Sequence, residues 1–109
     1  MDLVQECHSI SKTFPREKLF GIASQIRRAA VSVPANIAEG FGRWHRKEYA
    51  HHLRMAAGSV AELETHLSIA LRLKYMEKVR TEALLRRAEE IGKMIAGLLK
   101  ALSRMNPSP

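Results

Sequence analysis

The last third of the chain carries an apolar pattern that restricts its fold more than any other feature. Large apolar residues and alanine recur there at intervals of four and three residues: Leu84, Ala88, Ile91, Ile95, Leu98 and Leu102. This is the heptad spacing of α-helices that pack side by side. Leu85, Gly92 and Leu99 widen the apolar face, so the helix could contact two neighbours. The pattern predicts a helix over residues 78–103 within a bundle.

Two further stretches show helical spacing. Leu3, Cys7, Ile10 and Phe14 predict a first helix over residues 2–12, which ends before Pro15 because the residue preceding a proline is disfavoured in the α conformation. A third helix is predicted over residues 46–74. Its apolar face comprises Tyr49, Leu53, Ala56, Val60, Leu63, Leu67 and Ala70. A glycine inside a helix costs about 1 kcal/mol relative to alanine, so we expect a close packing partner at Gly58.

The second helical stretch, residues 19–41, contains Pro34. Either the helix ends near Val33 and restarts with Pro34 in its first turn, or it continues with a kink. The apolar stripe keeps its phase across the proline, from Ala30 and Val33 to Ile37 and Phe41, which favours the kink. We therefore expect Val33 and Ile37 both to face the core, and Gly40 and Gly42 to end the helix.

The whole pattern predicts an all-α fold, an up-down-up-down antiparallel four-helix bundle. The chain has 109 residues, enough for one small domain, which we place at residues 1–105, with a disordered tail at 106–109. Cys7 is the only cysteine, which excludes a disulfide framework. No apolar run approaches the ~20 residues that span a bilayer. We expect a cytoplasmic protein without membrane contact.

Charge gives the first indication of function. The chain has 18 lysines and arginines against 11 aspartates and glutamates, a net charge of +7. A small basic domain is attracted to polyanions such as nucleic acid, although a merely soluble basic surface explains the charge as well.

The sequence offers no convincing catalytic or metal site, so we expect no enzymatic activity, no cofactor and no metal. His45, Glu48 and His52 could share a helix face, but a metal needs three or four converging ligands. Solvated or core-edge histidines are the simpler interpretation. The glycines near residues 40–42 lack the spacing of a phosphate-binding loop.

Basic residues fall into two groups that could meet phosphates. One group lies around the start of the third helix, and the other follows the fourth helix, partly at seven-residue spacing. The predicted nucleic-acid-binding residues are Arg43, Trp44, Arg46, Lys47, Arg54, Arg86, Arg87, Lys93, Lys100 and Arg104. Arginine binds phosphate in bidentate fashion and an exposed tryptophan can stack on a base. Packing at the helix start is the simpler interpretation of Trp44, and a solvated face that of the stripe.

Arg27 and Arg28 precede Pro34 and are interpreted as at least partly structural. A partly buried arginine needs a carboxylate or carbonyl partner, so we expect one of them to pair across the second and third helices. The candidate partners are Glu39, Glu62 and Glu64.

Three stretches resemble the four-helix-bundle family of 23S rRNA intervening-sequence proteins. They are SQIRRAAVSVPANIAEGFGR at residues 24–43, KEYAHHLRMAAGSVAELETHL at 47–67 and EEIGKMIAGLLKAL at 89–102. Members usually carry a further helical stretch with a tryptophan before the point where this chain begins, so a short first helix is expected. A glycine is typical at the position of Lys74, before the aromatic Tyr75.

The resemblance implies a small helical bundle that forms a ring-shaped homo-pentamer, and some members are encoded within bacterial 23S rRNA genes. The fold is also similar to the accessory protein of diversity-generating retroelements, a basic pentamer that partners a reverse transcriptase and nucleic acid. Two hypotheses follow. The chain is either a nucleic-acid-binding assembly, acting on RNA or DNA alone or beside a reverse transcriptase, or an rRNA-associated or protein-binding scaffold whose charge is incidental.

Overall fold

The structure, a computed structural model, describes residues 2–15, 19–42 and 45–105. Four α-helices account for most of this part: α1 (Asp2–Ser11), α2 (Ser24–Phe41), α3 (Arg46–Arg72) and α4 (Lys78–Met105). The described residues contain no strand. The prediction of an all-α, four-helix fold is confirmed, whereas the up-down-up-down antiparallel order stays a prediction. Arg43, Trp44 and the predicted tail at 106–109 lie outside the described residues.

The core lies along α3, which packs against both α2 and α4. Apolar residues at the predicted spacing, such as Leu53, Leu63 and Leu67, are fully buried. The short α1 packs on α2 and α4 at one end of the bundle. The ring of Phe14, just after α1, lies 5.7 Å from the ring of Tyr75, just after α3. One end of the molecule therefore has four helices around its core, and the other has three.

Helix α2 continues through Pro34, as predicted. Val33 is fully buried, and Ile37 is half-buried and packed against the core, so the apolar stripe keeps its phase across the proline. The expectation that Phe41 continues this stripe is wrong, because its side chain is exposed at the end of α2. A kink at Pro34 stays a prediction. The backbone departs from helical values earlier, at Gly21 (φ −95°, ψ −107°), within the irregular helical segment Leu19–Ala23. The regular part of α2 therefore starts later than the sequence pattern indicates.

Helix α3 ends in a left-handed turn at Lys74. The backbone of Lys74 has φ 62°, and it is the one non-glycine residue of the described chain with positive φ. The amide of Tyr75 donates to the carbonyl of Ala70 at 2.9 Å, and that of Lys74 donates to Leu71 at 3.0 Å. These two bonds form a Schellman motif, in which glycine is the preferred left-handed residue. The motif explains why a glycine is typical at this position.

The expectation of a close partner at Gly58 is wrong for the single chain. Gly58 is exposed, and nothing in the described structure lies within 4 Å of a Cβ atom built on it. Helices α2 and α3 instead approach each other closely at Gly40, a buried residue of α2 that lies against α3. None of the helices in the described residues combines the length and the apolar character needed to cross a membrane.

Candidate nucleic-acid interface

The first turns of α3 and the last turns of α4 enclose a cleft of about 250 Å³. The wall formed by α3 consists of Arg46, Lys47, Ala50 and Arg54, and that formed by α4 of Leu99, Leu102 and Ser103. Residues 46, 50 and 54 are spaced by four, which places them on one face of a helix. Residues 73–77 connect the two helices, and the last turns of α4 face the first turns of α3 across the cleft.

The cleft is electrostatically one-sided. Its three charged residues, Arg46, Lys47 and Arg54, are all exposed cations, and no carboxylate lines it. Within the described chain, none of the three makes an ion pair or a side-chain hydrogen bond. The cleft therefore presents donors that are not already used by protein groups.

Two further cations of the predicted binding set lie at the same end of the molecule as the cleft. Lys100 and Arg104 are exposed in the same turns of α4 that supply Leu99 and Ser103. Arg86 and Lys93 are also exposed but lie farther along α4; Arg86 is about 21 Å from Lys100 at 1.5 Å per residue. The structure thus places Lys100 and Arg104 of the second group at the same end as Arg46, Lys47 and Arg54 of the first, and the rest of the stripe leads away from it.

Two of the predicted binding residues have protein partners. The Nζ atom of Lys93 lies 3.3 Å from Oε1 of Glu89 on an exposed surface, where such a pair is worth about 0–1 kcal/mol and exchanges easily. Arg87 donates to Oε1 of Glu6 at 2.9 Å, which links α4 to α1. Arg87 therefore has a structural contact, and its role in binding nucleic acid stays a prediction.

Arg27 has a structural partner, although not a predicted one. Its Nε atom donates to Oγ of Ser11 at 2.7 Å, and the Ser11 hydroxyl in turn donates to the carbonyl of His8 at 3.0 Å. Arg27 therefore ties α2 to α1. Glu62 lies 3.6 Å from Nε2 of His66 on its own helix. An additional pair of Arg27 or Arg28 with Glu39, Glu62 or Glu64 stays a prediction.

The histidines and Cys7 are not gathered into a metal-binding cluster among the described residues. No group of three or more His, Cys, Asp or Glu side chains in this part of the chain could hold a metal ion. His52 is half-buried against Gly40, and its Nδ1 atom has no hydrogen-bond partner. Burial, with a smaller contribution from Glu6, raises the pKa of the Cys7 thiol to about 12, so the thiol is unreactive at neutral pH.

Sequence reasoning missed the apolar side of the cleft. The sequence pattern places Leu99 and Leu102 on the helix-packing face of the fourth helix and gives Ala50 no role. The available signal was the short connection between the third and fourth helices, which makes their far ends meet. The spacing within each helix does not show how far each helix extends past its neighbour.

Together these features define a class of protein: a small all-α bundle with an unpaired basic cleft at one end. The chain matches the family profile described as 23S rRNA-intervening sequence protein over residues 1–97, and it belongs to that family. No curated protein matches it. A crystal structure of a protein of unknown function from the S23 ribosomal protein family of Bacteroides thetaiotaomicron VPI-5482 superposes with a TM-score of 0.75. The two are 22% identical over 90% of this chain and 98% of that chain, a similarity of fold.

Proposed function

We propose that this chain is a non-enzymatic, basic, homo-oligomeric protein that binds RNA or DNA with little sequence preference. The observation that carries the proposal is the convergence of Arg46, Lys47 and Arg54 on one cleft without any protein partner. Unpaired arginine and lysine donors attract phosphate, and arginine can bind it in bidentate fashion. The net charge of +7 adds a favourable long-range field.

A simpler explanation is that these cations only offset the negative end of the α4 dipole. Cations in that role commonly donate hydrogen bonds to the last carbonyls of the helix. In the described structure, none of the three cleft cations donates a hydrogen bond to α4. Lys100 and Arg104 already place positive charge in the last turns of α4. The cleft cations therefore exceed what the dipole requires.

Little sequence preference follows from the kind of contact. Phosphates are identical along a strand, whereas sequence is recognised through donors and acceptors on base edges. The described cleft is lined by three cations, three apolar side chains and one serine. Such a surface offers few groups that distinguish one base from another.

Oligomerisation is part of the proposal because the helices expose apolar side chains. On α2, Val31 is 50% exposed and Phe41 is 78% exposed, and on α4, Met94 is 67% exposed. Val31, Pro34, Ala38 and Phe41 are spaced by three, four and three, so they form one stripe beside the core-facing stripe of α2. Contact between copies would cover this surface. The number five comes from the family resemblance.

The oligomer is tested by mass measurement in solution. We expect a single assembly at micromolar concentration, and a smaller mass for the double variant Val31→Ser/Phe41→Ser. Both side chains are exposed, and the variant removes one edge-to-face ring contact, between Phe41 and Tyr49. The fold should therefore stay intact, as checked by circular dichroism. Ala83→Ser, at an exposed position of α4, is the control. A wild-type chain that remains a stable monomer would refute this part of the proposal.

Nucleic-acid binding is tested by fluorescence anisotropy over a salt series. Phosphate contacts make the logarithm of affinity fall with that of the salt concentration, by about 0.7–0.9 per contact. We expect Arg46→Gln/Lys47→Gln to weaken binding to all sequences alike and to flatten this slope by about 1 to 2. Arg86→Gln/Lys93→Gln/Lys100→Gln tests the stripe on α4 in the same way.

The matched control is Arg72→Gln/Arg80→Gln, which removes the same charge near the α3–α4 connection, at the other end of both helices. This control should bind more tightly than the cleft variant. If the parent does not bind at low salt, or if the cleft variant binds as the parent does, the scaffold hypothesis is favoured instead.

The same surface would suit an accessory subunit that holds nucleic acid for a reverse transcriptase, the partnership that the retroelement resemblance implies. Purification of the tagged protein from its host, followed by identification of the co-purifying RNA and protein, tests this partnership. Recovery of ribosomal RNA without a polymerase would favour the rRNA-associated alternative.

A further inference from the structure

We propose that the cleft holds one unpaired nucleotide, so that this protein prefers single-stranded to double-stranded nucleic acid. The inference rests on the proposed function and specifies its ligand. Its starting point is the double character of the cleft: the rim is cationic, through Arg46, Lys47 and Arg54, and the floor is apolar, through Ala50, Leu99 and Leu102.

The apolar side chains of the floor offer a phosphate neither positive charge nor a hydrogen-bond donor. Leu99, Leu102 and Ala50 are half-buried, so each keeps apolar surface that a ligand could cover. In a duplex the bases are stacked and paired inside, and the outside that reaches such a cleft consists of phosphate and sugar. An unpaired base can leave its neighbours and lie against apolar side chains while its phosphate stays at the cations.

The size of the cleft also favours a single nucleotide over a peptide helix. An α-helix with its side chains is about 10–12 Å across. A cleft of about 250 Å³ is slightly smaller than the usual small-molecule pocket of about 300–1,000 Å³. It therefore fits one planar group with an attached anion, and an acidic helix could contact only the cationic rim.

A preference for single strands cannot come from charge alone. A duplex has the higher charge density and releases more counterions per contact, so a purely cationic surface favours the duplex. A preference for the single strand therefore indicates that a base occupies the apolar floor, whereas a preference for the duplex indicates a surface that acts through charge alone.

The test compares a labelled single-stranded RNA of about 16 nucleotides with the same strand annealed to its complement, by anisotropy at one salt concentration. We expect the wild-type protein to bind the single strand at least about fivefold more tightly. Ala50→Leu fills the floor and retains every charge. We expect it to lower single-strand affinity to the level of the duplex or below it, because only the cationic surface then remains, and to leave duplex affinity unchanged.

Two variants accompany Ala50→Leu. Ser103→Leu fills the cleft from the α4 side, at an exposed position, and should have the same effect if Ala50→Leu perturbs folding. Ala83→Leu makes the same change at an exposed alanine of α4 outside the cleft and should keep the wild-type preference.

Equal binding of both forms by the wild type, or an unchanged preference in both filled variants, overturns the inference. The proposed function survives that result if both forms still bind with a steep salt slope. A glutamate-rich peptide serves as competitor. The inference is also wrong if the peptide binds, if both filled variants abolish its binding, and if the protein does not prefer single-stranded RNA. These results together would mean that the cleft is a protein-binding site.

Discussion

A Cβ atom built on Gly40 of α2 would lie 2.8 Å from the Cβ atom of His52 in α3. It would also lie 3.0 Å from Cδ1 of Tyr49. The end of α2 and the start of α3 therefore approach each other closely. This contact fixes the first turns of α3 against α2, and with them one wall of the basic cleft.

We expect Gly40→Ala to lower the free energy of unfolding by about 1–3 kcal/mol, because the methyl group forces the two helices apart. Gly58→Ala is the matched control, since nothing in the described structure lies within 4 Å of its Cβ position. It should raise stability by about 0.5–1 kcal/mol through helix propensity. Urea denaturation of both variants measures the two changes. A destabilising Gly58→Ala would place another copy of the chain against that surface.

Lys74→Gly should stabilise the protein by about 1 kcal/mol. The residue holds φ 62°, where a Cβ atom is unfavourable by about 1–2 kcal/mol, and glycine removes that cost at some expense in chain entropy. Lys93→Gly, inside α4, should instead destabilise it by about 1 kcal/mol. Thermal unfolding of the two variants compares them. A loss of stability in Lys74→Gly would mean that the left-handed turn is not strained.

Ser11→Ala should destabilise the protein by about 1–3 kcal/mol. The Ser11 hydroxyl is fully buried and accepts the Nε–H of Arg27, so the variant leaves a charged donor without its partner. Arg28→Gln, at an exposed position on the same turn as Arg27, should change stability by less than about 0.5 kcal/mol. Equal effects of the two variants would contradict the structural role of Arg27.

Stability should fall at alkaline pH through the titration of Cys7. Its pKa is raised from 9.0 to about 12, so between these values the unfolded chain releases the thiol proton and the folded chain keeps it. The contribution is complete below about pH 9 and is lost as the pH rises through about 12. Relative to Cys7→Ala, the wild type should lose about 2 kcal/mol between about pH 7.5 and about pH 10.5. If the difference in stability between the wild type and Cys7→Ala stays constant over this range, the thiol ionises as readily in the folded chain as in the unfolded chain.

Helical spacing predicts most of this fold because one periodic stripe identifies the buried face of each helix. It correctly predicts that Val33 and Ile37, on either side of Pro34, both face the core. The proline removes one helical hydrogen bond but does not change the phase of the stripe. It did not predict the irregular backbone at Gly21. No periodic signal marks that position, because the next apolar residues, Ile22 and Ala23, still fit a helix.

The candidate site was predicted only in part. Clustering along the chain identifies Arg46, Lys47 and Arg54, because all three lie close together near the start of the predicted third helix. The apolar floor requires knowledge of which turn of α4 lies opposite α3, and that depends on packing between helices. The bond between Arg27 and Ser11 was missed for the same reason: a buried serine looks like any polar residue at a helix end.

The shortness of α1 has a consequence for local motion. With 10 residues it extends only about 15 Å, whereas α4 with 28 extends about 42 Å. Leu84 and Ala88 are buried at the α1 end, but Leu98 is 43% exposed beyond it. Amide hydrogens in the last turns of α4 should therefore exchange with solvent sooner than those near Leu84, because opening there exposes little apolar surface. The end that carries the basic cleft is the end that can rearrange most easily around what it binds.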